Sequence, residues 1–190
     1  MTLIEGFVSL AALVWLIAAA ASDIRTRKVP SLLWTGLPMI LAAAYRLLSG
    51  NQEAIVAAAA VVVAVSERRH LKLKVLEILV LAAGVILLGW ILYSVGIFRT
   101  TGIVGVIVFW VSWELHLIGG ADAMVLITCL MIWPGMEFVY AYLLAGLGWS
   151  VGVWVREGGW WRGHSVPGLA VVASAAILYL LYRVLLIITG

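Results

Sequence analysis

GIVGVIVFWVSWELHLIGGADAMVLITCLMIW, residues 102–133, decides how this chain is read. Two apolar runs flank Gly119-Gly120-Ala121-Asp122, so a carboxylate and two glycines interrupt what would otherwise be continuous hydrocarbon. Runs of this kind are helices that satisfy their backbone hydrogen bonds internally, as a lipid environment requires, and the glycine pair marks the turn between them. Acids are scarce here: nine of the 190 residues are acidic, and only Asp23 and Asp122 are aspartate. The placement of Asp122 therefore needs a physical reason.

The rest of the chain resembles this stretch. It is 65% hydrophobic and 11% charged, with ten tryptophans and a mean hydropathy of +1.18, a composition that predicts an integral membrane protein. The length leaves no room for a large soluble domain, so residues 1–190 are expected to form a single all-α, polytopic transmembrane helical bundle. Cys129 is the single cysteine and lies within an apolar run, which excludes an intrachain disulfide and a cysteine-based zinc site. The net charge of +3 is accounted for by membrane topology and implies no nucleic-acid partner.

A helix needs about 20 apolar residues to cross the hydrocarbon layer. Runs near that length occupy residues 3–22, 32–48, 75–98, 102–117 and 169–188, and less regular ones occupy 54–65, 123–133 and 136–155. Counting all of them predicts about eight spans. Threading these alternately across the bilayer gathers Arg25, Arg27, Lys28, Arg68, Arg69, Lys72, Lys74, Arg156 and Arg162 on one face and leaves Arg46, Arg99 and Arg183 near the other. Basic residues concentrate on the cytoplasmic side, so both termini are expected outside, with Asp23 and Asp122 at the inner face. The first run lacks a basic residue before it and has its positive cluster after it, which marks a retained span and not a secretory signal.

Proline and glycine punctuate the pattern. Pro30 starts the second span, Pro38 is expected to kink it, Pro134-Gly135 makes an outer turn and Pro167 precedes the last span. Gly148 and Gly152 have the small-xxx-small spacing that permits close helix approach in lipid.

An ionisable group at membrane depth costs about 2.5 to 3.5 kcal/mol on insertion scales, which makes both aspartates functional candidates. Asp23 closes the first run, ahead of Ile24-Arg25-Thr26-Arg27-Lys28-Val29-Pro30. Asp122 opens a helix, where free backbone N–H groups favour a carboxylate. The glycines before it release the backbone and leave room for another chain. Two carboxyl groups brought together share one proton, giving an acid and a base side by side. Such a pair hydrolyses a peptide with water alone, without metal or cofactor, and its two titration steps belong to the pair jointly. The structural alternatives stand beside this reading: Asp23 can belong to an interfacial ion-pair cluster, and Asp122 can cap its helix.

Asp23-Ile-Arg-Thr-Arg-Lys-Val-Pro30 resembles the first aspartate motif of type IV prepilin peptidases, and Gly119-Gly-Ala-Asp122-Ala is similar to their second, GxGD-type motif, in the form associated with archaeal preflagellin peptidases. The resemblance covers these two motifs and the order of elements. It implies cleavage of a short basic leader from prepilin-like or preflagellin-like protein subunits at the cytoplasmic face of the cell membrane, with Asp23 and Asp122 as the catalytic pair and Gly119, Gly120 and Ala121 as the motif backbone. Met124 stands where a lysine often follows in that family. The cysteine-bearing cytoplasmic segment associated with N-methylation is missing, so no methyltransferase activity is expected.

Other polar residues carry less. Glu114 and His116 precede the second motif and could tune the pair, although interfacial side chains of this kind more often reach headgroups. Glu67 and Glu157 each neighbour an arginine and could attract the basic leader of a substrate, although such acids more often form local ion pairs. His164 and the other two histidines have no metal-ligand spacing. Trp110, Trp113, Trp149, Trp154, Trp160 and Trp161 are expected to anchor helices at the interface with membrane lipid, and residues 68–74 reach anionic headgroups or obey topology alone. Two further classes compete with the endopeptidase: an inactive relative that binds leader-bearing subunits, and a small proton-coupled transporter using the same carboxylates.

Overall fold

A computed structural model describes residues 3–26, 35–49, 102–115, 118–157 and 168–189. The apolar runs become helices: α1 Leu3–Thr26, α2 Leu37–Leu48, α3 Gly102–Glu114, α4 Gly120–Ile132, α5 Met136–Glu157 and α6 Gly168–Thr189. No strand occurs among the described residues. Segments 3–25 of α1, 136–156 of α5 and 168–189 of α6 are long and apolar enough to cross a membrane. At 12 or 13 residues, the other three extend about 18 to 20 Å, short of the roughly 30 Å hydrocarbon layer. The expected spans at 54–65 and 75–98, and Pro30 and Pro167, lie outside the described residues.

By contacts the chain divides into two compact units, Met1–Val29 with Glu137–Gly190, and Pro30–Met136. In the first unit α1 packs on α6. Ser9, Ala12, Leu16, Ala19 and Ala20 are the buried residues of α1, and their spacing of three and four residues places them on one stripe. The buried part of α6 is likewise rich in alanine, at Ala170, Ala173, Ala175 and Ala176. Small side chains let helix backbones approach, which is how association is won in lipid, where apolar transfer contributes little. Phe7, Leu10, Val14 and Ile17 of α1 remain exposed. A helix with an alanine seam on one side and large hydrophobics on the other is suited to a lipid surround.

Helix α5 meets α6 through an edge-to-face contact of Phe138 with Tyr179, ring centroids 6.1 Å apart, and a 3.0 Å hydrogen bond from Trp149 Nε1 to Ser174 Oγ. The earlier residue of α5 meets the later residue of α6, so the two run antiparallel. Trp149 is thus an interhelical donor, a contact that its reading as an interfacial anchor did not include. A correction concerns the glycines: no described neighbour comes within 4 Å of a Cβ built on Gly148 or Gly152. Their spacing allows close packing, but among the described residues the approach is made by the alanines of α1 and α6 instead.

In the second unit α4 is the central element, packed by both α2 and α3. Residues 125–131 of α4 are all buried, which explains why this helix is apolar around its circumference and not along one stripe. Thr128, fully buried, satisfies its hydroxyl by donating to Met124 O at 2.8 Å. On α3, Val106, Phe109 and Trp110 are buried, so Trp110 belongs to the packed interior and not to an interfacial belt. A Cβ added at Gly105 would come within 2.6 Å of Leu130 Cδ1; glycine is there because α3 and α4 touch. Beyond the end of α3, Leu115 N–H donates to Val111 O at 2.9 Å, and ahead of α4 Ile118 N–H donates to Ser112 O at 3.4 Å.

Helix α2 joins α4 through a charge. Arg46 is the only charged side chain buried among the described residues; its Nε donates to Met131 O and its Nη2 donates to Ile132 O at 2.7 Å. Pro38 stands in the first turn of α2, after a wider π-type turn at Thr35 and Gly36. A proline in the first turn lacks an N–H that would have had no helical partner. The start of the longer span in which Pro38 is expected to make a kink lies outside the described residues.

Candidate functional site

Asp23 lies in the last turn of α1, half-buried, with Ile24 and Arg25 exposed beside it. No salt bridge joins Asp23 to Arg25 among the described residues. The reason is local geometry: residues two apart on a helix point to different faces. The expected ion-pair cluster therefore does not form through this neighbour. Arg27 and Lys28 lie outside the described residues.

Asp122 is the third residue of α4. Gly119 is the N-cap, extended at φ −69° and ψ 151°, and makes no side-chain cap because it has no side chain. The first helical hydrogen bond runs from Ala123 N–H to Gly119 O at 2.9 Å. Asp122 turns back over this start: a Cβ placed on Gly119 would lie 3.1 Å from Asp122 Oδ2. Gly119 has an ordinary negative φ, so space and not backbone freedom explains the glycine, and the occupant of that space is the carboxyl of Asp122. Gly120 continues into helix as the first residue of α4. Of the pair, Gly119 is the residue that leaves the helix, extended and exposed, while Gly120 is helical.

A carboxylate at the third helical position can reach the N–H groups left unbonded in the first turn and interacts favourably with the positive end of the helix dipole. Asp122 is half-buried. Ala121 and Met124 are half-buried on the same turn. Glu114 ends α3, but its side chain and the whole of His116 lie outside the described residues, as do the side chain of Glu157, residues 67–74, Trp160, Trp161 and His164. Among the described residues no group of three or more His, Cys, Asp and Glu side chains gathers that could hold a metal ion.

The two aspartates belong to different units, Asp23 to the one formed by Met1–Val29 with Glu137–Gly190 and Asp122 to Pro30–Met136. Sequence reading missed Arg46, counted only as a basic residue on the less charged face. The available signal was the isolation of that one charge within an apolar run, a position where a cation needs a partner. It also missed the buried indole N–H groups of Trp15 and Trp110, which have no hydrogen-bond partner among the described residues.

No family model matches this chain, and no curated protein or solved structure matches it either.

Proposed function

We propose that this chain is a membrane-embedded aspartyl endopeptidase that removes the short basic leader from prepilin-like or preflagellin-like subunits at the cytoplasmic face, with Asp23 and Asp122 as the catalytic pair. The observation that carries the reading is the setting of Asp122. It is an uncommon carboxyl in an apolar chain, held in the first turn of a buried helix, over a glycine whose missing side chain makes room for it. The ordered likeness of both aspartate motifs to type IV prepilin peptidases supplies the reaction class.

One carboxylate of the pair takes a proton from water as the oxygen attacks the scissile carbonyl carbon. The other carboxyl, protonated, donates to the carbonyl oxygen and forms a tetrahedral diol. Collapse of the diol breaks the C–N bond, and a proton passes to the departing amine. Peptide and water become acid and amine, with no covalent intermediate. The Lys and Arg residues expected at the inner surface would repel a basic leader, so recognition of that leader falls to the acids of the same face.

The test is processing of a panel of leader-bearing prepilin-like substrates by the purified protein in lipid, followed by gel shift. Asp23→Asn and Asp122→Asn should each abolish cleavage. Retained cleavage in both variants rejects the catalytic pair. A second reading, an inactive relative that binds such subunits, draws on the capping position of Asp122; binding without cleavage by the unaltered protein across the panel would favour it.

A further inference from the structure

The end of α4 opposite Asp122 has an anchor whose geometry the proposed chemistry does not use. Residue 134 is proline, so Leu130 O has no helical N–H four residues on. The Met131 and Ile132 carbonyls project past the last turn of α4, where the helix dipole is negative. Arg46, 8% exposed, fills this position by donating from Nε to Met131 O and from Nη2 to Ile132 O. A guanidinium is a rigid planar fork, so two donors on adjacent carbonyls specify direction as well as attraction.

We infer that Arg46 is a positioning residue for Asp122: its two hydrogen bonds to the last carbonyls of α4 fix that helix along its own axis, and so set the depth of Asp122 in the bilayer. The apolar contacts of α4 with α2 and α3 are non-directional and hold it mainly from the side. A helix is stiff along its axis, so a displacement at Ile132 arrives almost undiminished at Asp122, about ten residues or roughly 15 Å away. Loss of the fork leaves a buried carbonyl at Met131 and a part-buried one at Ile132 without these donors and gives α4 a reason to move toward other partners. The catalytic consequence rests on the aspartyl reading above, whereas the depth of α4 does not.

The experiment uses the full-length protein in lipid nanodiscs, with Cys129→Ala and a nitroxide attached at Ala121→Cys. Its depth is read from the ratio of collision rates with oxygen and with a water-soluble nickel chelate. Arg46→Met should shift the label's depth. Arg46→Gln, which keeps N–H donors but not the charge or the fork, should shift it less in the same direction. In a protein without the label, kcat for leader cleavage should fall on the order of tenfold to a hundredfold with KM nearly unchanged, as expected when a reacting group is misplaced by about 1 Å. An unchanged depth in folded Arg46→Met overturns the inference; if that variant does not fold, an unchanged depth in Arg46→Gln does so. If the unaltered protein cleaves nothing, the aspartyl reading fails while the depth measurement still decides the role of Arg46.

Discussion

Asp122 lies over Gly119: its Oδ2 is 3.1 Å from the place where any other residue would put a Cβ. The contact is tighter than ordinary packing and involves the carboxyl proposed to do chemistry. Gly119→Ala should therefore displace the Asp122 side chain while leaving α4 intact, since φ at Gly119 suits alanine. Cleavage should drop about tenfold or more, with circular dichroism and thermal stability close to those of the unaltered protein. Full activity in Gly119→Ala would show that the carboxyl position is not critical.

The carboxyls themselves are tested by charge removal with shape retained. Asp23→Asn and Asp122→Asn should each lower kcat by about 10⁴-fold or to background, since either the base or the acid is lost. Combining them should cost little more than one alone, because two residues that act as a unit are not additive. Substrate binding, measured by co-purification, should survive in both.

Gly105 and Leu130 form a tight steric contact between α3 and α4, with only 2.6 Å available between an added Cβ and Leu130 Cδ1. Leu130 is fully buried, so its side chain has little room to rotate away. Gly105→Ala should destabilise the protein by about 1 to 3 kcal/mol through overpacking. Leu130→Val in the same chain should recover part of the loss, and the double-mutant cycle in a detergent unfolding assay measures the coupling. Independent, additive effects would contradict the contact.

Trp149 and Ser174 tie α5 to α6 by the 3.0 Å hydrogen bond. Ser174 also donates to Ala170 O at 2.9 Å, so its oxygen serves as acceptor and donor at once. Ser174→Ala and Trp149→Phe should each cost about 0.5 to 1.5 kcal/mol of unfolding free energy, the usual scale for a bond between membrane helices. The two losses together should be less than additive.

Cys129 is fully buried in α4. A membrane-permeant maleimide should leave it unmodified in the folded protein and label it stoichiometrically after denaturation, as read by mass spectrometry. Rapid labelling under native conditions would mean that α4 is not enclosed as described.

Local chemistry made the helices legible. The run read at 169–188 is α6, Gly168–Thr189, and the run at 136–155 is α5, Met136–Glu157, because apolar length and the proline or glycine that ends it are written within the segment itself. The helix after the glycine pair begins at Gly120 and not at Ala123, since glycine at a first helical position costs little. Asp122 was identifiable as a rare acid in an apolar surround, and its place in the first turn followed from sequence alone. Which surfaces meet was not legible. Trp110 and Trp149 carry the same side chain, and only the partner helices make one buried and the other a donor to Ser174. Gly105 looked no different from Gly148 or Gly152, yet among the described residues only the first of these three is pressed against a neighbour. Arg46 reads as one of twelve basic residues, and its meaning depends on Met131 and Ile132, more than eighty residues along the chain. Helix formation is decided by each segment's own backbone and apolar length. Contacts between segments depend on rotation and axial position, which a one-dimensional pattern does not encode.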